Sequence, residues 1–223
     1  MKFDIITVFP EILNSYFNES ILKRAQKKKL IKIKTHNLRD FTKDKHKKVD
    51  DKSYGGGVGM VLMAEPIIKA VLKVKAKKEK TKIILFSPVG KQFDNKIAFN
   101  FAKKYNHLIF ICGHYEGFDA RVEKALQDFG FKVQRISIGP YVLTGGELAA
   151  AVVIDSISRQ IPGVLGKNES LEEKRFGIGV PVYTRPETFF CKKKKYAAPK
   201  VLISGNHKKI DEWRRSKIDK IRK

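Results

Sequence analysis

The residues best suited to chemistry lie in a glycine-rich loop, Ser137–Leu148. The loop follows a β-rich run, Phe131–Ser137, and leads into an apolar segment with the pattern of a helix. Glycines let backbone N–H and C=O groups approach a ligand closely, and open α/β sheets bind ligands past the carboxyl ends of their strands. The spacing is neither G-x-G-x-x-G nor G-x-x-x-x-G-K-S/T, so a dinucleotide site and a phosphate-binding loop are poor interpretations. The loop therefore predicts a tight site for a small neutral or cationic ligand.

Two other loops also follow apolar strand-like runs. Ser87–Gly90 comes after one run, and Gly113–Asp119 comes after the next run along the chain. Loops that leave the carboxyl ends of parallel strands meet at one edge of a sheet. The three loops are therefore able to form one pocket.

A sheet is needed to position these loops, and strand and helix patterns alternate along the chain. Strands are predicted at Phe3–Phe9, Leu30–Thr35, Lys82–Ser87, Leu108–Cys112 and Lys132–Ser137. Helices are predicted at Glu11–Lys29 (in two pieces), Glu65–Lys77, Asn95–Lys104, Arg121–Asp128 and Leu148–Ile161. This alternation indicates an α/β fold with a mostly parallel sheet.

The composition indicates a polyanionic partner. The 223 residues include 47 Lys and Arg against 23 Asp and Glu, a formal net charge of +24. Such an excess favours nucleic acid as the partner. A membrane surface is less favoured, because the sequence shows no long basic amphipathic helix with a wide apolar face. A lysine-rich proteome is an alternative source of the charge. Runs such as Lys27–Lys29, Lys75–Lys80 and Lys192–Lys195 are accordingly either solvated surface or RNA contacts.

Cysteine and histidine usage indicates a reducing compartment and no fixed metal. The two cysteines, Cys112 and Cys191, form no C-x-x-C motif, which favours a cytoplasmic protein. The five histidines are scattered, so we expect no structural metal site. The segment Met1–Pro10 has too short an apolar core for a signal peptide, and no apolar run is long enough to span a membrane.

Composition changes divide the chain into three parts. The α/β pattern closes near Ile161–Gly163, so residues 1–166 are predicted to form the main domain. The polar and charged stretch that follows is typical of a flexible linker or lid, which we place at residues 167–180. Residues 181–223 then form a short, basic C-terminal domain.

Five motifs follow one another in a specific order. They are Val49–Met60, Gly113–Gly117, Ile161–Gly166, Pro181–Glu187 and Pro199–His207. Any one of them would be a weak signal, but in this order they make the chain resemble the bacterial tRNA (guanine-N1)-methyltransferases of the TrmD family, within the SPOUT superfamily. The resemblance runs collinearly from Phe3 to about Gly166 and resumes in the last two motifs.

The resemblance implies both an activity and an assembly. It implies methyl transfer from S-adenosylmethionine to N1 of guanosine 37, in a tRNA with guanosines at positions 36 and 37. It also implies an obligate homodimer with active sites at the subunit interface, and a deep trefoil knot in the sheet, which pattern reasoning would not suggest. Residues 1–166 would be the knotted cofactor-binding catalytic domain, and 181–223 a truncated helical tRNA-binding domain. The family depends on Mg²⁺, which we expect to bind with the RNA.

The resemblance further implies the residues of the S-adenosylmethionine pocket. Backbone groups of the glycine loops would bond the adenine edge, while Leu143 and Ile138 would sandwich the ring. For isolated glycines such as Gly90 and Gly117, an ordinary turn is the alternative. The implied cofactor-binding residues are Ser87, Pro88, Gly113, Ser137, Ile138, Gly139, Tyr141, Val142, Leu143, Gly145 and Gly146.

Four residues are implied to bind the substrate. Glu116 would accept hydrogen bonds from the Watson–Crick edge of a flipped guanine, and its alternative is a solvated loop acid. Tyr115 would line the pocket or stack on a base, although aromatic residues beside strands more often pack in the hydrophobic core. Asp50 and Gly59 flank a glycine-rich segment that by resemblance meets guanosine 36, rather than serving as a plain connector.

The catalytic residues implied by the resemblance are Arg159 and a lid carboxylate. Arg159 ends an apolar helix, where a cation also suits the helix dipole, and would stabilise charge on guanine O6 as N1 loses its proton. Alignment on Phe176 puts Lys174 where the family has its general-base aspartate, and a lysine is a poor base there. We therefore expect Glu173, or else Glu172, to accept the proton.

Other departures keep two further functions open. Pro140 stands where the family usually has an aspartate, Ala149 stands where a proline is common, and the tail is shorter than the usual multi-helix domain. One alternative is a non-catalytic RNA-binding SPOUT protein that has lost its base, as Lys174 suggests. The other is a SPOUT methyltransferase that acts on another RNA.

Overall fold

The computed structural model describes residues 1–74, 80–166, 171 and 179–221. The chain divides into two compact units, Met1–Leu165 and Gly166–Lys223, which we call the N-terminal unit and the C-terminal unit.

The N-terminal unit is built on one five-stranded parallel sheet. The strands of the whole unit, within and outside this sheet, are β1 (Lys2–Thr7), β2 (Lys32–Asn37), β3 (Asp50–Asp51), β4 (Val61–Leu62), β5 (Thr81–Gln92), β6 (His107–Ile111) and β7 (Lys132–Ser137). The sheet has the order β2-β1-β6-β5-β7, and every neighbouring pair is parallel. The short strands β3 and β4 form a separate antiparallel pair. The predicted α/β fold with a mostly parallel sheet is confirmed.

Helices connect these strands close to the predicted positions. They are α1 (Asn14–Phe17), α2 (Ser20–Lys27), a 3₁₀ helix (Leu38–Phe41), α3 (Ala64–Lys73), α4 (Asn95–Lys104), α5 (Arg121–Asp128) and α6 (Glu147–Ser158). The predicted helix at Glu65–Lys77 ends at Lys73, and residues 75–79 lie outside the described residues. Helix α4 begins where the sequence predicts, because the Asp94 side chain accepts a hydrogen bond from the Ile97 N–H at 2.7 Å.

The second strand begins two residues later than predicted because of how α2 ends. Lys29 adopts a left-handed backbone with φ 57°, and the Leu30 N–H donates to the Ala25 carbonyl at 3.0 Å. This is the hydrogen-bond pattern of a helix C-cap, so Leu30 belongs to the cap. The ladder with β1 starts at Lys32 and continues to Asn37.

Side chains on the two faces of the sheet enter two separate cores. On β1, Phe3 and Ile5 pack into one core, whereas Ile6 packs into the other. On β6, Leu108 and Phe110 alternate with Ile109 and Ile111 in the same way. Because these side chains are buried on both faces, the central strands carry apolar residues at successive positions, which is the pattern of parallel strands covered on both faces.

One buried carboxylate interrupts the apolar β1. Asp4 is fully buried and bonds to Nε2 of His36 at 2.6 Å, to Nε2 of His107 at 2.5 Å and to Nζ of Lys2 at 2.8 Å. Burial alone would raise the pKa of Asp4, but the hydrogen bonds from His107, His36 and Lys2 outweigh it and hold the pKa well below its usual range. The cluster joins β1 to β2 and β6 through polar contacts.

The C-terminal unit has less secondary structure and more exposed surface. It contains the antiparallel hairpin of β8 (Thr188–Cys191) and β9 (Lys194–Ala197), followed by α7 (Lys200–Ile203) and α8 (His207–Ile221). Among the described residues of this unit, the buried apolar side chains are Leu171, Val180 and Ile210. The hairpin was not predicted, because its strands are short and its turn is made of lysines rather than glycine or asparagine.

No helix in the described parts of the chain combines the length and apolar character required to cross a bilayer.

Candidate functional site

A cleft of about 400 Å³ lies at the carboxyl ends of β6 and β7, beside an irregular stretch of β5. The loops after β6 and β7 line it together with Ser87 and Pro88, at which β5 departs from its ladder with β7 between Phe86 and Lys91. Eleven predicted cofactor-binding residues line this cleft, and they are Ser87, Pro88, Gly113, Ser137, Ile138, Gly139, Tyr141, Val142, Leu143, Gly145 and Gly146. The loops after β6 and β7 therefore converge as predicted, whereas the predicted loop Ser87–Gly90 lies inside β5 (Thr81–Gln92), whose irregular stretch after Phe86 contributes Ser87 and Pro88 to the cleft.

Hydrogen bonds within the loop after β7 hold its shape. The buried Ser137 hydroxyl donates to the Gly139 carbonyl at 2.9 Å and accepts from the Gly139 N–H at 3.2 Å. The Tyr141 hydroxyl donates to the Ile138 carbonyl at 3.1 Å. These bonds are made within the loop itself and fix its shape, and clefts of largely fixed shape are typical of small-molecule sites.

A glycine is required where two of the loops approach most closely. A Cβ on Gly146 would lie 2.7 Å from the Cα of Cys112, a distance that real Cβ atoms do not show. The Gly146 N–H donates to the Gly113 carbonyl at 3.0 Å, which fixes the start of α6 against the end of β6. Only a residue without a side chain permits this contact.

A buried polar cluster that the sequence did not predict lies behind the cleft. Glu147 is 3% exposed and accepts a hydrogen bond from the Thr7 hydroxyl. Nε2 of His114 lies 2.8 and 2.9 Å from its two carboxylate oxygens, so His114 donates from Nε2. The cluster ties β1, the loop after β6 and the start of α6 together. Its only sequence signal is an acid at the first position of an otherwise apolar helix.

The predicted substrate-binding residues Tyr115 and Glu116 line the cleft in exposed positions. Tyr115 has φ 58° and is 54% exposed, so its ring is presented by a left-handed backbone rather than packed in the core. The Glu116 N–H donates to the Met60 carbonyl at 3.1 Å. This bond attaches the loop after β6 to the segment that precedes β4.

Gly59 and Asp50 are near this loop but do not line the cleft. Gly59 has φ +100°, and a Cβ there would lie 2.8 Å from Oε1 of Glu116. Asp50 pairs with Leu62 in the β3–β4 ladder, and the Leu62 N–H donates to the Gly117 carbonyl at 3.0 Å. Hydrogen bonds of the loop after β6 with Met60 and Leu62 thus connect the segment that carries Tyr115 and Glu116 to the segments that carry Gly59 and Asp50.

The cleft contains no activated thiol. Cys112 lies fully buried at the end of β6, and burial together with the nearby Glu147 carboxylate raises the pKa of its thiol well above the usual value. Such a thiol stays protonated and is a poor nucleophile. In the described parts of the chain, no group of three or more His, Cys, Asp or Glu residues is arranged to hold a metal ion.

Comparison with known proteins decides the family. The sequence model of the family described as tRNA (Guanine-1)-methyltransferase TrmD matches residues 1–222. A tRNA (guanine-N(1)-)-methyltransferase from Dictyoglomus turgidum is 50% identical over 218 residues, which are 96% of this chain and 84% of that protein. Proteins of the same name from Clostridium tetani and Mycoplasma mycoides are 47% and 49% identical, and the matches span 89% and 85% of their lengths and 100% and 96% of this chain.

The chain belongs to the TrmD family. The resemblance inferred from the ordered motifs is therefore confirmed, and with it the prediction that the protein is an enzyme of the methyltransferase class. A methyltransferase family requires a methyl donor, and a cleft of about 400 Å³ falls within the roughly 300–1,000 Å³ range of small-molecule sites.

One catalytic residue predicted for this TrmD family member lies away from the cleft, and the others lie outside the described residues. Arg159 is the C-cap of α6, whereas the cleft residues Gly145 and Gly146 precede the first residue of that helix. Ala149 is the last α6 residue that lines the cleft, and at a rise of about 1.5 Å per residue Arg159 lies roughly 15 Å further along the helix. Glu172 and Glu173, as well as Lys174, lie outside the described residues. The structure thus groups the predicted cofactor and substrate residues but does not bring Arg159 to them within one chain.

Proposed function

We propose that the protein transfers a methyl group from S-adenosylmethionine to N1 of guanosine 37 in tRNA. The observation that supports this most strongly is the match to the TrmD family along the chain, combined with one cleft lined by every residue implied to bind the cofactor. Relatives whose sequences are 50% and 47% identical to this chain are named tRNA (guanine-N(1)-)-methyltransferase.

The cleft suits the proposed cofactor. Its loop after β7 presents apolar side chains to open space, with Val142 84% exposed and Tyr141 52% exposed. An adenine ring would cover such surface, with Leu143 and Ile138 on its two faces and backbone groups of the glycine loops at its edge. Bound S-adenosylmethionine would supply an electrophilic methyl group.

Glu116 and Tyr115 are proposed to hold the target base. A carboxylate oxygen of Glu116 would accept hydrogen bonds from the N–H groups on the guanine edge, and the exposed Tyr115 ring would stack on a base. Both need the guanine to be outside its stack, since a stacked base does not present its edge to a pocket. Gly59 and Asp50 would contact guanosine 36, because their segments are hydrogen-bonded to the loop that carries Glu116.

Guanine N1 carries a proton and becomes a nucleophile only when that proton is removed. We propose that the carboxylate of Glu173, or else of Glu172, accepts it, while the Arg159 guanidinium stabilises the charge that develops on O6. The double variant E172Q/E173Q is expected to lose methylation while still binding tRNA. Full activity of this variant would exclude both glutamates as the base.

A homodimer is proposed because Arg159 lies far from its own cleft. Residues 148, 152 and 159 fall on one side of α6, and Leu148 and Val152 are 61% and 49% exposed. Tyr16 of α1, which is 48% exposed, donates a hydrogen bond to Asp155 on the same helix. A second copy packed on this apolar surface by two-fold symmetry would bring its Arg159 to the first copy's cleft.

Mixed dimers test whether Arg159 acts across the interface. R159A and E116Q proteins would each be nearly inactive, because every site lacks one residue. If Arg159 comes from the partner, half of the sites in mixed dimers are intact, and random mixing restores about a quarter of wild-type activity. If Arg159 acts within its own chain, mixing restores nothing.

Two further features of the family are also proposed for this chain. The sheet order, in which β6 lies between β1 and β5, is compatible with a deep trefoil knot in residues 1–166. Residues 167–180 would be the lid, and the basic residues of 181–223 would bind tRNA phosphates. Any Mg²⁺ would associate with the RNA.

The decisive experiment is methylation of an unmodified tRNA transcript with guanosines at positions 36 and 37. The purified protein and S-adenosylmethionine should produce 1-methylguanosine, detected by mass spectrometry of the digested RNA. Replacing guanosine 37 should abolish the product. A protein that binds both molecules but forms no methylated base would instead be an RNA-binding protein, and product at another base would indicate a different target.

A further inference from the structure

His114 begins the turn that presents the two residues proposed to hold the target base. The Gly117 N–H donates to the His114 carbonyl at 2.9 Å, which closes a four-residue turn. Tyr115 and Glu116 are the two central residues of this turn. An antiparallel bridge also joins His114 to Gly145, in the loop after β7. The position of His114 therefore sets the position of the turn relative to that loop.

The His114 side chain is held on several sides. Its Nε2 donates to both carboxylate oxygens of Glu147, and the centroid of the Phe9 ring lies 4.8 Å from that of the imidazole. A Cβ on Gly145 would lie 2.4 Å from Cε1 of His114, so the imidazole packs directly on the backbone of the loop after β7. Only 12% of the His114 side chain is exposed. These contacts leave the imidazole little freedom to move.

Glu147 is in turn held by elements outside the turn. Its carboxylate accepts a hydrogen bond from the hydroxyl of Thr7, the last residue of β1, and that hydroxyl accepts one from the Phe9 N–H at 2.9 Å. As the first residue of α6, Glu147 also lies where the helix dipole favours negative charge. Burial of charged groups is costly, and well-packed apolar side chains are often at least as stable. A buried carboxylate at this point is therefore better explained by the direction and distance that its bonds impose.

The position of the turn bears on methyl transfer, because guanine N1 must lie in line with the transferred methyl group. The side chains of Tyr115 and Glu116 are exposed, so the backbone of the turn rather than packing in the core decides where they lie. A misplacement of about 1 Å can lower the rate of an enzyme reaction about 100-fold. A small movement of His114 would therefore reach the reacting atoms through the turn.

We propose that His114 and Glu147 are positioning residues for methyl transfer. The hydrogen bond between them fixes the Tyr115–Glu116 turn against the loop after β7, so that the bound guanine faces the methyl group. Neither side chain takes part in the bonds that form and break. The inference rests on the proposed function for the identity of the reaction, but the rigidity of the turn is measurable without catalysis.

Single-turnover methylation with saturating S-adenosylmethionine and tRNA tests the donor. H114F keeps a ring beside Phe9 but offers no N–H to Glu147, and we expect a rate about 30-fold lower. H114Q keeps a donor near the position of Nε2 and should stay within about threefold of the wild type. The dissociation constant for S-adenosylmethionine, measured by calorimetry, should change by less than about threefold in both variants, because the loop after β7 keeps its own internal bonds.

A double variant shows whether the two residues act as one unit. E147Q keeps the size of the side chain but removes its charge, and we expect a rate about tenfold lower. If the bond between the residues is what matters, H114F/E147Q should be no slower than H114F, since the second change removes nothing further. Independent roles would instead multiply to a rate about 300-fold lower.

D4N is the matched control for a loss of stability alone. Asp4 is also a buried carboxylate of the N-terminal unit with histidine partners, but it does not line the cleft. Melting curves are recorded for every variant, and rates are compared at a temperature at which all of them are folded. D4N should keep the wild-type rate even if it melts at as low a temperature as H114F.

Hydrogen exchange measures the turn itself. The N–H groups of Glu116 and Gly117 are both hydrogen-bonded, to the carbonyls of Met60 and His114. Mass spectrometry of H114F peptides that contain these groups should show exchange at least tenfold faster than in the wild type. The Gly139 N–H, which is bonded within the loop after β7, is the internal reference and should exchange at the wild-type rate.

Four results would overturn the proposal. They are a wild-type rate for H114F, an H114Q protein as slow as H114F, multiplied losses in the double variant, and unchanged exchange of the turn in H114F. A rate lost equally in D4N would mean that activity follows stability rather than positioning. If the wild-type protein makes no 1-methylguanosine, the proposed function fails, whereas the exchange series still decides whether His114 fixes the turn.

Discussion

The buried carboxylates of the N-terminal unit contrast with the exposed lysine run in the hairpin of the C-terminal unit. In the N-terminal unit, Asp4 and Glu147 are buried, and each has hydrogen-bond partners from other strands or loops. In the C-terminal unit, Lys192–Lys195 and Glu212 are exposed. The difference follows from the tasks proposed for the units. Orienting a base and a methyl donor needs groups held in fixed positions, whereas attracting a polyanion needs only cations near its phosphates.

The sharpest test of this comparison is kinetic. R159A should lower kcat about 10²- to 10³-fold, because a guanidinium that stabilises developing charge acts mainly in the transition state. KM for tRNA should change little. K192Q/K193Q/K194Q should do the reverse, with a higher KM for tRNA and nearly unchanged kcat. The variant R24A, which removes an exposed arginine from α2, is the control. If both variants altered the same parameter, the two units would not divide binding and chemistry.

The next largest effect is expected from a methyl group at the crowded glycine. G146A places a Cβ 2.7 Å from the Cα of Cys112, so the start of α6 and the end of β6 must separate. We expect a loss of about 3 kcal/mol in the free energy of unfolding, together with weaker S-adenosylmethionine binding by calorimetry. G166A is the matched control, since nothing lies within 4 Å of its added Cβ. Wild-type stability of G146A would show that the loops adjust freely.

Asp4 makes the stability of the N-terminal unit sensitive to acid. Its pKa is lower in the folded chain than in the unfolded chain, so its contribution is complete above the unfolded pKa of about 4 and is lost as the pH falls below it. D4N should be about 2 kcal/mol less stable at pH 7 and should lose less stability between pH 5 and pH 3 than the wild type. Urea unfolding at each pH measures this, and parallel losses in both proteins would contradict it.

The smallest expected effect is the difference in stability loss between replacing a buried acid and replacing an exposed acid. E147Q keeps the size of the side chain but weakens its bonds with His114 and Thr7, and it should cost about 1–2 kcal/mol in the free energy of unfolding. E212Q changes an exposed residue of α8 and should stay within about 0.5 kcal/mol of the wild type. Similar changes in the two variants would mean that burial of Glu147 contributes little.

Sequence reasoning was most successful where the relevant interactions are local. Helices Asn95–Lys104 and Arg121–Asp128 begin and end where predicted, because the Asp94 cap of the first and the apolar spacing of both act within one or two turns. The strand at Leu30–Thr35 was displaced because the helix cap extends to Leu30. The β8–β9 hairpin was missed, since lysines at its turn resemble a solvated charge run until pairing is seen.

The candidate site was predictable to the extent that it is made of consecutive loop residues. Gly139, Gly145 and Gly146 stand out as a cluster in one loop, and the ordered motifs related them to a cofactor pocket. His114 was part of a predicted loop but its role was not, because its partner Glu147 is 33 positions away. No spacing rule relates residues that meet only after the sheet has formed.

The sequence by itself determined most element types of the N-terminal unit, the α/β class, the TrmD family and two of the loops that line the cleft. Each of these depends on neighbouring residues or on ordered motifs, which are present in the unfolded chain. Only the tertiary structure decided that Thr7 meets Glu147, 140 positions away, and that His114 meets the same carboxylate. Those outcomes depend on which distant segments pack together, and packing is settled by the burial of the whole core rather than by any local pattern.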